Sequence, residues 1–108
     1  MEKKGQLFTA FLEDLEQSLE DFDQAILSIE KDPEVSVEQI FRIFHSIKAS
    51  TRILSFNQFS EFTHLAESLL SQVRSGAFPL DESLGEFFFE LYDLFKMFKE
   101  KVALGYDE

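Results

Sequence analysis

The run Phe41-Arg42-Ile43-Phe44-His45-Ser46-Ile47-Lys48-Ala49 holds the side chains in this chain best suited to chemistry. Read as helix, it sets Arg42 and Lys48 one turn to either side of His45, with the small Ala49 four residues on. An imidazole flanked by cations and a methyl group makes a poor core residue. It suits a surface position where a phosphoryl group is held within reach of another protein, because the cations offset phosphoryl charge and the small neighbour allows close approach.

Other chemistries find few residues to use. There is no cysteine, no glycine-rich phosphate loop and no nucleophile elbow. His45 and His64 with Glu67 could in principle ligate a metal, but di-iron bundles need two Glu-x-x-His sequences. This chain has only the reversed His64-Leu65-Ala66-Glu67, so no metal is expected. Glu13, Asp14, Glu16, Glu20, Asp21 and Asp23 read as the solvated face of a helix.

Four amphipathic helices would position these side chains. Over residues 5–31, Phe8, Leu12, Leu15, Leu19, Phe22, Ile26 and Ile29 recur at spacings of three and four. That helix is expected to end near Lys31-Asp32-Pro33. Ser36 with Gln39 reads as a capping box opening a second helix over 36–55, whose stripe is Val37, Ile40, Phe44, Ile47, Thr51 and Leu54. His45, Arg42 and Ala49 fall on its outer half, with Phe41 and Lys48 at the boundary. Asn57 offers a cap for a third helix over 57–75, with apolar positions Phe59, Phe62, Leu65, Ala66, Leu69 and Val73 and a stop at Gly76. A connection through Pro79 leads to Asp81 as cap of a fourth helix over 81–104. Its face is Leu84, Phe87, Phe88, Leu91, Phe95, Phe98 and Val102, and it ends near Gly105. Phe89 and Tyr92 lie off the centre of that face, either as the margin of a broad face packed inside the bundle or as a contact for a further helix or second copy. Short connections between such helices predict an all-α fold, an antiparallel up-down-up-down four-helix bundle, in one domain over 1–108.

The formal charge of −11, from 21 acids and 10 bases, repels phosphate backbones and anionic lipid, so nucleic acid and membrane are not expected partners. Between Ser36 and Ser60 the only acid is Glu38, whereas Arg42, Lys48 and Arg52 all lie there, which predicts a local positive patch around His45. No run is long and apolar enough to span a membrane, and the N-terminal residues lack the continuous apolar stretch of a signal peptide. A cytoplasmic location is expected, and the absence of cysteine is compatible with it.

Phe41-Arg42-x-x-His45-x-x-Lys48-Ala49, followed ten residues after the histidine by Ser55-Phe56, resembles the histidine phosphotransfer (HPt) motif. The segment Thr63-His64-x-x-Glu67-x-Leu69-Leu70-x-x-Val73-Arg74-x-Gly76 is similar to the third helix of the phosphotransfer domain of CheA-type chemotaxis kinases. The resemblance implies that His45 is phosphorylated and that Glu67 accepts a hydrogen bond from Nδ1–H, leaving the Nε2 lone pair free. It further implies that Lys48 offsets phosphoryl charge and that His64 joins the same polar cluster, while Arg42, Ala49 and Arg52 meet the partner. Because Lys48 sits at the margin of the apolar stripe, its loss is expected to slow phosphorylation with little change in stability.

Three positions depart from the family pattern. Ala49 and Ser55 stand where glycine is usual, and Arg52, seven residues after His45 on the same face, replaces a small residue. Arg52 either binds the phosphoryl group or crowds a partner and narrows the choice of regulators. The resemblance implies a phosphoryl carrier that is substrate rather than autonomous enzyme. A kinase catalytic domain would bring ATP and magnesium, no cofactor being bound here, and a response-regulator receiver domain would bring the accepting aspartate. Such a domain either belongs to a long CheA-type kinase or stands free as a relay protein. A helical interaction module without chemistry is the rival reading, favoured if His45 is buried or Glu67 points away.

Overall fold

A computed structural model describes residues 2–76 and 82–104, which form α1 (Glu2–Leu27), α2 (Pro33–Ile53), α3 (Asn57–Arg74) and α4 (Glu82–Ala103). The helices pack as an antiparallel four-helix bundle with a long axis of 46 Å, in which α2 and α3 lie closest together. The expected connection at Pro79, cap at Asp81 and end at Gly105 lie outside the described residues.

The largest fully buried side chains among the described residues are the phenylalanines Phe22, Phe44, Phe59, Phe88 and Phe95. Phe22 of α1 is fully buried and meets Phe44 of α2 at 5.1 Å between centroids, and Phe88, Tyr92 and Phe95 of α4 at 6.0–6.3 Å, all edge-on. Phe59 of α3 stacks on Phe98 at 4.8 Å, and Phe62 lies edge-on to Phe95 at 5.0 Å, tying α3 to α4. Edge-on and offset rings let many aromatics share one interior at favourable geometry. Tyr92 thus belongs to the bundle, whereas Phe89 is 41% exposed and lies outside the packed face.

Helix boundaries differ from expectation where a local interaction outweighs the residue pattern. The regular helix of α1 stops at Leu27, and its chain continues to Asp32 through hydrogen-bonded turns, with Lys31 N and Asp32 N both donating to Ser28 O. Ser36 is not a cap. Proline fits the first turn of a helix, so α2 starts at Pro33 with Asp32 as N-cap, its carboxylate accepting from Val35 N at 3.4 Å, and Ser36 lies buried within the helix. Asn57 is likewise the first residue of α3 rather than its cap. The cap position is Phe56, which makes no side-chain capping bond and packs its ring on Phe8 and Phe11 of α1 instead. Gly76 does close α3, at a φ of +87° that suits glycine.

The phase of α3 is also rotated from the expected stripe. Leu65 is 63% exposed and Leu69 is exposed as well, while Ser60, Thr63, Glu67 and Leu70 turn inward with Phe59, Ala66 and Val73. Thr63 Oγ1 donates to Phe59 O at 2.8 Å, and Thr51 Oγ1 donates to Ile47 O and Lys48 O at 2.9 Å. Both threonine hydroxyls are therefore satisfied on their own helix, and these short side chains let α2 and α3 approach closely. Farther along, Arg74 clamps the same pair: its Nε meets Glu38 Oε2 at 3.0 Å and its guanidinium lies 4.3 Å from the centre of the Phe41 ring.

Candidate functional site

His45 projects from the outer face of α2 with 66% of its side chain exposed, because Phe44 and Ile47 on either side of it point into the core. The rotation of α3 brings Glu67 up to it. Glu67 Oε2 lies 3.0 Å from His45 Nδ1, and Lys48 Nζ donates to Oε1 of the same carboxylate at 2.6 Å. The glutamate is only 10% exposed and the lysine 14%, so the carboxylate is held between helices by one partner on each oxygen. Glu67 is not an ordinary surface glutamate.

Burial on its own pushes the Glu67 carboxyl up. The hydrogen bonds from Lys48 and His45, together with the charge they bring, outweigh burial and hold the group below its ordinary value. An ionised carboxylate has no proton to give, so the hydrogen bond to Nδ1 requires the proton to sit on the ring. The neutral imidazole then keeps its lone pair on Nε2, the nitrogen free of this contact. Charge developing on the ring during attack at Nε2 would meet the same carboxylate. This arrangement would suit His45 to act as an oriented nucleophile at the surface.

The other expected site residues are divided between the cluster and its surroundings. Lys48 faces Glu67 rather than open solvent. Its side chain is 14% exposed, at the boundary where the residue pattern places it, and the ion pair with Glu67 adds a structural role to the expected chemical one. His64 is exposed and makes no hydrogen bond or ion pair with His45 or Glu67, so the cluster closes without it. Arg42, Ala49 and Arg52 are exposed on α2. Arg42 lines a small cleft with Asp21, Gln39 and Ile43. Ala49 and Ser46 line a larger cleft, of about 470 Å³, between α2 and the Asp14, Gln17 and Ser18 edge of α1. The positive patch is smaller than expected, since the Lys48 charge is compensated by Glu67.

Among the described residues no group of three or more His, Cys, Asp or Glu is arranged to hold a metal, and no helix is long and apolar enough to cross a membrane.

Comparison with known proteins agrees with this geometry. Over 102 residues the chain is 31% identical to the chemotaxis protein CheA of Treponema pallidum, covering 93% of this chain and 13% of that protein. It is 29% identical over 104 residues to CheA of Borreliella burgdorferi, covering 94% of this chain and 12% of the relative. The chain thus spans about an eighth of the length of the relatives it matches. Among solved structures, the phosphorylated P1 domain of CheA3 in complex with CheY6 from R. sphaeroides superposes with a TM-score of 0.83 at 24% identity, over 93% of this chain and 80% of that one. The CheA phosphotransferase domain from Thermotoga maritima superposes with a TM-score of 0.80 at 20% identity, over 91% and 95%. The family described as Hpt domain matches residues 6–101, nearly the whole of the described bundle, and the chain belongs to the Hpt domain family.

Proposed function

We propose that this chain is a phosphoryl carrier of two-component signalling, in which His45 accepts a phosphoryl group from a CheA-type kinase catalytic domain and yields it to a response-regulator aspartate. The observation that carries this reading is the exposed imidazole whose Nδ1 is held by the covered Glu67 carboxylate. In the accepting step the Nε2 lone pair forms the N–P bond as the bond from the γ-phosphorus to the ADP oxygen breaks. The Nδ1 proton stays in place against Glu67, which offsets the positive charge the ring acquires. In the donating step the N–P bond breaks toward the aspartate oxygen and the lone pair returns to Nε2.

Such transfers depend on positioning and on charge supplied around the phosphorus. In this reading ATP and magnesium come with the kinase domain, and the receiver brings its own aspartate. The chain contributes the oriented ring and acts as substrate rather than as an autonomous enzyme. The cytoplasm, where ATP is plentiful, is the compartment this chemistry requires. Sequence likeness to CheA proteins over nearly the whole chain supports a kinase of that type as donor over a free-standing relay. The solved likeness to a phosphorylated P1 domain bound to CheY6 supports a receiver domain as acceptor. Neither condition favouring a docking bundle without chemistry is met, since His45 is exposed and Glu67 points at it.

Incubation with an active CheA-type catalytic domain and labelled ATP tests the proposal against His45→Gln. Label that is acid-labile, alkali-stable and absent from the variant is expected. Equal labelling of both proteins would rule out His45 as the acceptor, and no labelling of either would leave a docking role.

A further inference from the structure

The phosphoryl group that His45 would carry needs a cation, and the three bases near it on α2 are not equally available. Lys48 is committed: its Nζ sits 2.6 Å from Glu67 Oε1 and only 14% of its side chain reaches solvent. Moving it to a phosphoryl group would strip a covered carboxylate of its counter-charge, which is costly. Arg42 lies N-terminal to His45, and helical side chains lean toward the N-terminus, so its stem inclines away from the ring and into the cleft it shares with Asp21.

Arg52 is placed differently. It is exposed, and its side chain makes no ion pair, hydrogen bond or cation–π contact among the described residues. A heptad separates it from His45, so the two share one face within about 20° and lie about 10.5 Å apart along the axis. Its stem leans back toward His45, and the residue lying between them on that face is the small Ala49. A guanidinium presents its N–H groups as a planar fork that matches two phosphoryl oxygens.

We propose that Arg52 is the phosphoryl-binding residue of this site, folding back over Ala49 to donate two N–H groups to the oxygens of a phosphoryl group on His45 Nε2. The inference rests on His45 being the acceptor. Lys48 then serves to hold Glu67, and Arg52 supplies the cation. The competing role for Arg52 is structural: it lies in the last turn of α2, where a positive charge meets the negative end of the helix dipole.

Phosphoramidate separates these roles without any kinase or receiver domain. Its P–N bond breaks as the Nε2–P bond forms, its nitrogen leaves as ammonia, and Nδ1 keeps its proton. The wild type, Arg52→Ala and Arg52→Lys are phosphorylated in this way, and phosphorus NMR follows the phosphoryl resonance across pH. In Arg52→Ala the titration midpoint of the phosphohistidine is expected to rise by about half a pH unit or more, because a neighbouring cation opposes uptake of a proton. Arg52→Lys is expected to recover part of that shift. A capping role would move the thermal midpoint and leave the phosphoryl titration in place, which overturns the proposal. Faster transfer to a receiver domain from Arg52→Ala, with an unchanged titration, assigns Arg52 to partner exclusion and also overturns it. A wild type that takes no phosphoryl group at His45 overturns the carrier reading and this inference with it, whereas a labelled wild type that titrates like Arg52→Ala sinks the role of Arg52 alone.

Discussion

Glu67 serves two partners at once, and the consequences differ for each. Toward His45 it fixes which nitrogen carries the proton, so Glu67→Gln is expected to slow phosphorylation of His45. An amide can present either donor or acceptor to Nδ1 and no longer enforces one tautomer. Carboxylates that orient metal-bound histidines are worth about 10- to 100-fold, and a loss of that order is expected in single-turnover phosphorylation by a CheA-type catalytic domain. Toward Lys48 it forms a contact of 2.6 Å that both side chains bury. Lys48→Ala therefore leaves the carboxylate with His45 as its remaining partner, and a loss of about 1–3 kcal/mol is expected in urea unfolding. Slower phosphorylation should accompany it, because a Glu67 without Lys48 takes up a proton more readily and then no longer secures Nδ1–H. Normal stability in Lys48→Ala would show that the contact contributes little in solution.

At the scale of elements, the junction between α2 and α3 sets the height of Glu67 against His45. Phe56 N donates to Thr51 O at 2.9 Å and Ser55 N to Arg52 O at 3.0 Å, the paired bonds of a Schellman turn. Ser55 occupies its left-handed position at a φ of 62°, where a side chain is disfavoured and glycine is not. Ser55→Gly is expected to stabilise the bundle by about 0.5–1 kcal/mol, seen as a higher urea midpoint at unchanged slope. A lower midpoint would mean that unfolded-chain entropy outweighs the relief of strain. The same region shows what could be read from residue order. The stripe of α2 was legible because Val37, Ile40, Phe44, Ile47 and Thr51 are buried at their expected phase. That phase alone put His45 outside. The phase of α3 was legible only in part: Phe59, Ala66 and Val73 are buried as expected, but Leu65 and Leu69 face solvent while Ser60, Thr63 and Glu67 face in. A site that needs a covered carboxylate reverses the apolar-inside pattern over a full turn. Glu67 was found through motif resemblance rather than periodicity. The caps at Asp32 and Phe56 were missed for a different reason: Pro33 reads equally well as the end of one helix or the first turn of the next, and the packing of Phe56 on Phe8 and Phe11 is tertiary.

The molecule as a whole carries a formal charge of −11, and this sets up two opposed responses to acid. Protonating surface carboxylates relieves mutual repulsion and favours the folded state. Glu67 acts in the other direction. Its carboxyl is held below its ordinary value in the folded protein, so the unfolded chain binds that proton first as pH falls. Its contribution is therefore complete above the ordinary carboxylate range and is lost as pH drops through the depressed folded value. A pH profile of the wild type alone mixes the two effects. The difference between wild type and Glu67→Gln separates them, because the remaining 20 of the 21 acids are common to both proteins. That difference is expected to be level near neutrality and to shrink through the acid range, read from urea midpoints at a series of pH values. Added salt should stabilise both proteins by screening the surface charge and change the difference much less, since the Glu67 pair is shielded from solvent. A difference that stays level to the lowest pH at which both proteins fold would show that the folded and unfolded chains hold the Glu67 proton equally, and that the carboxylate is not bound by His45 and Lys48 in solution.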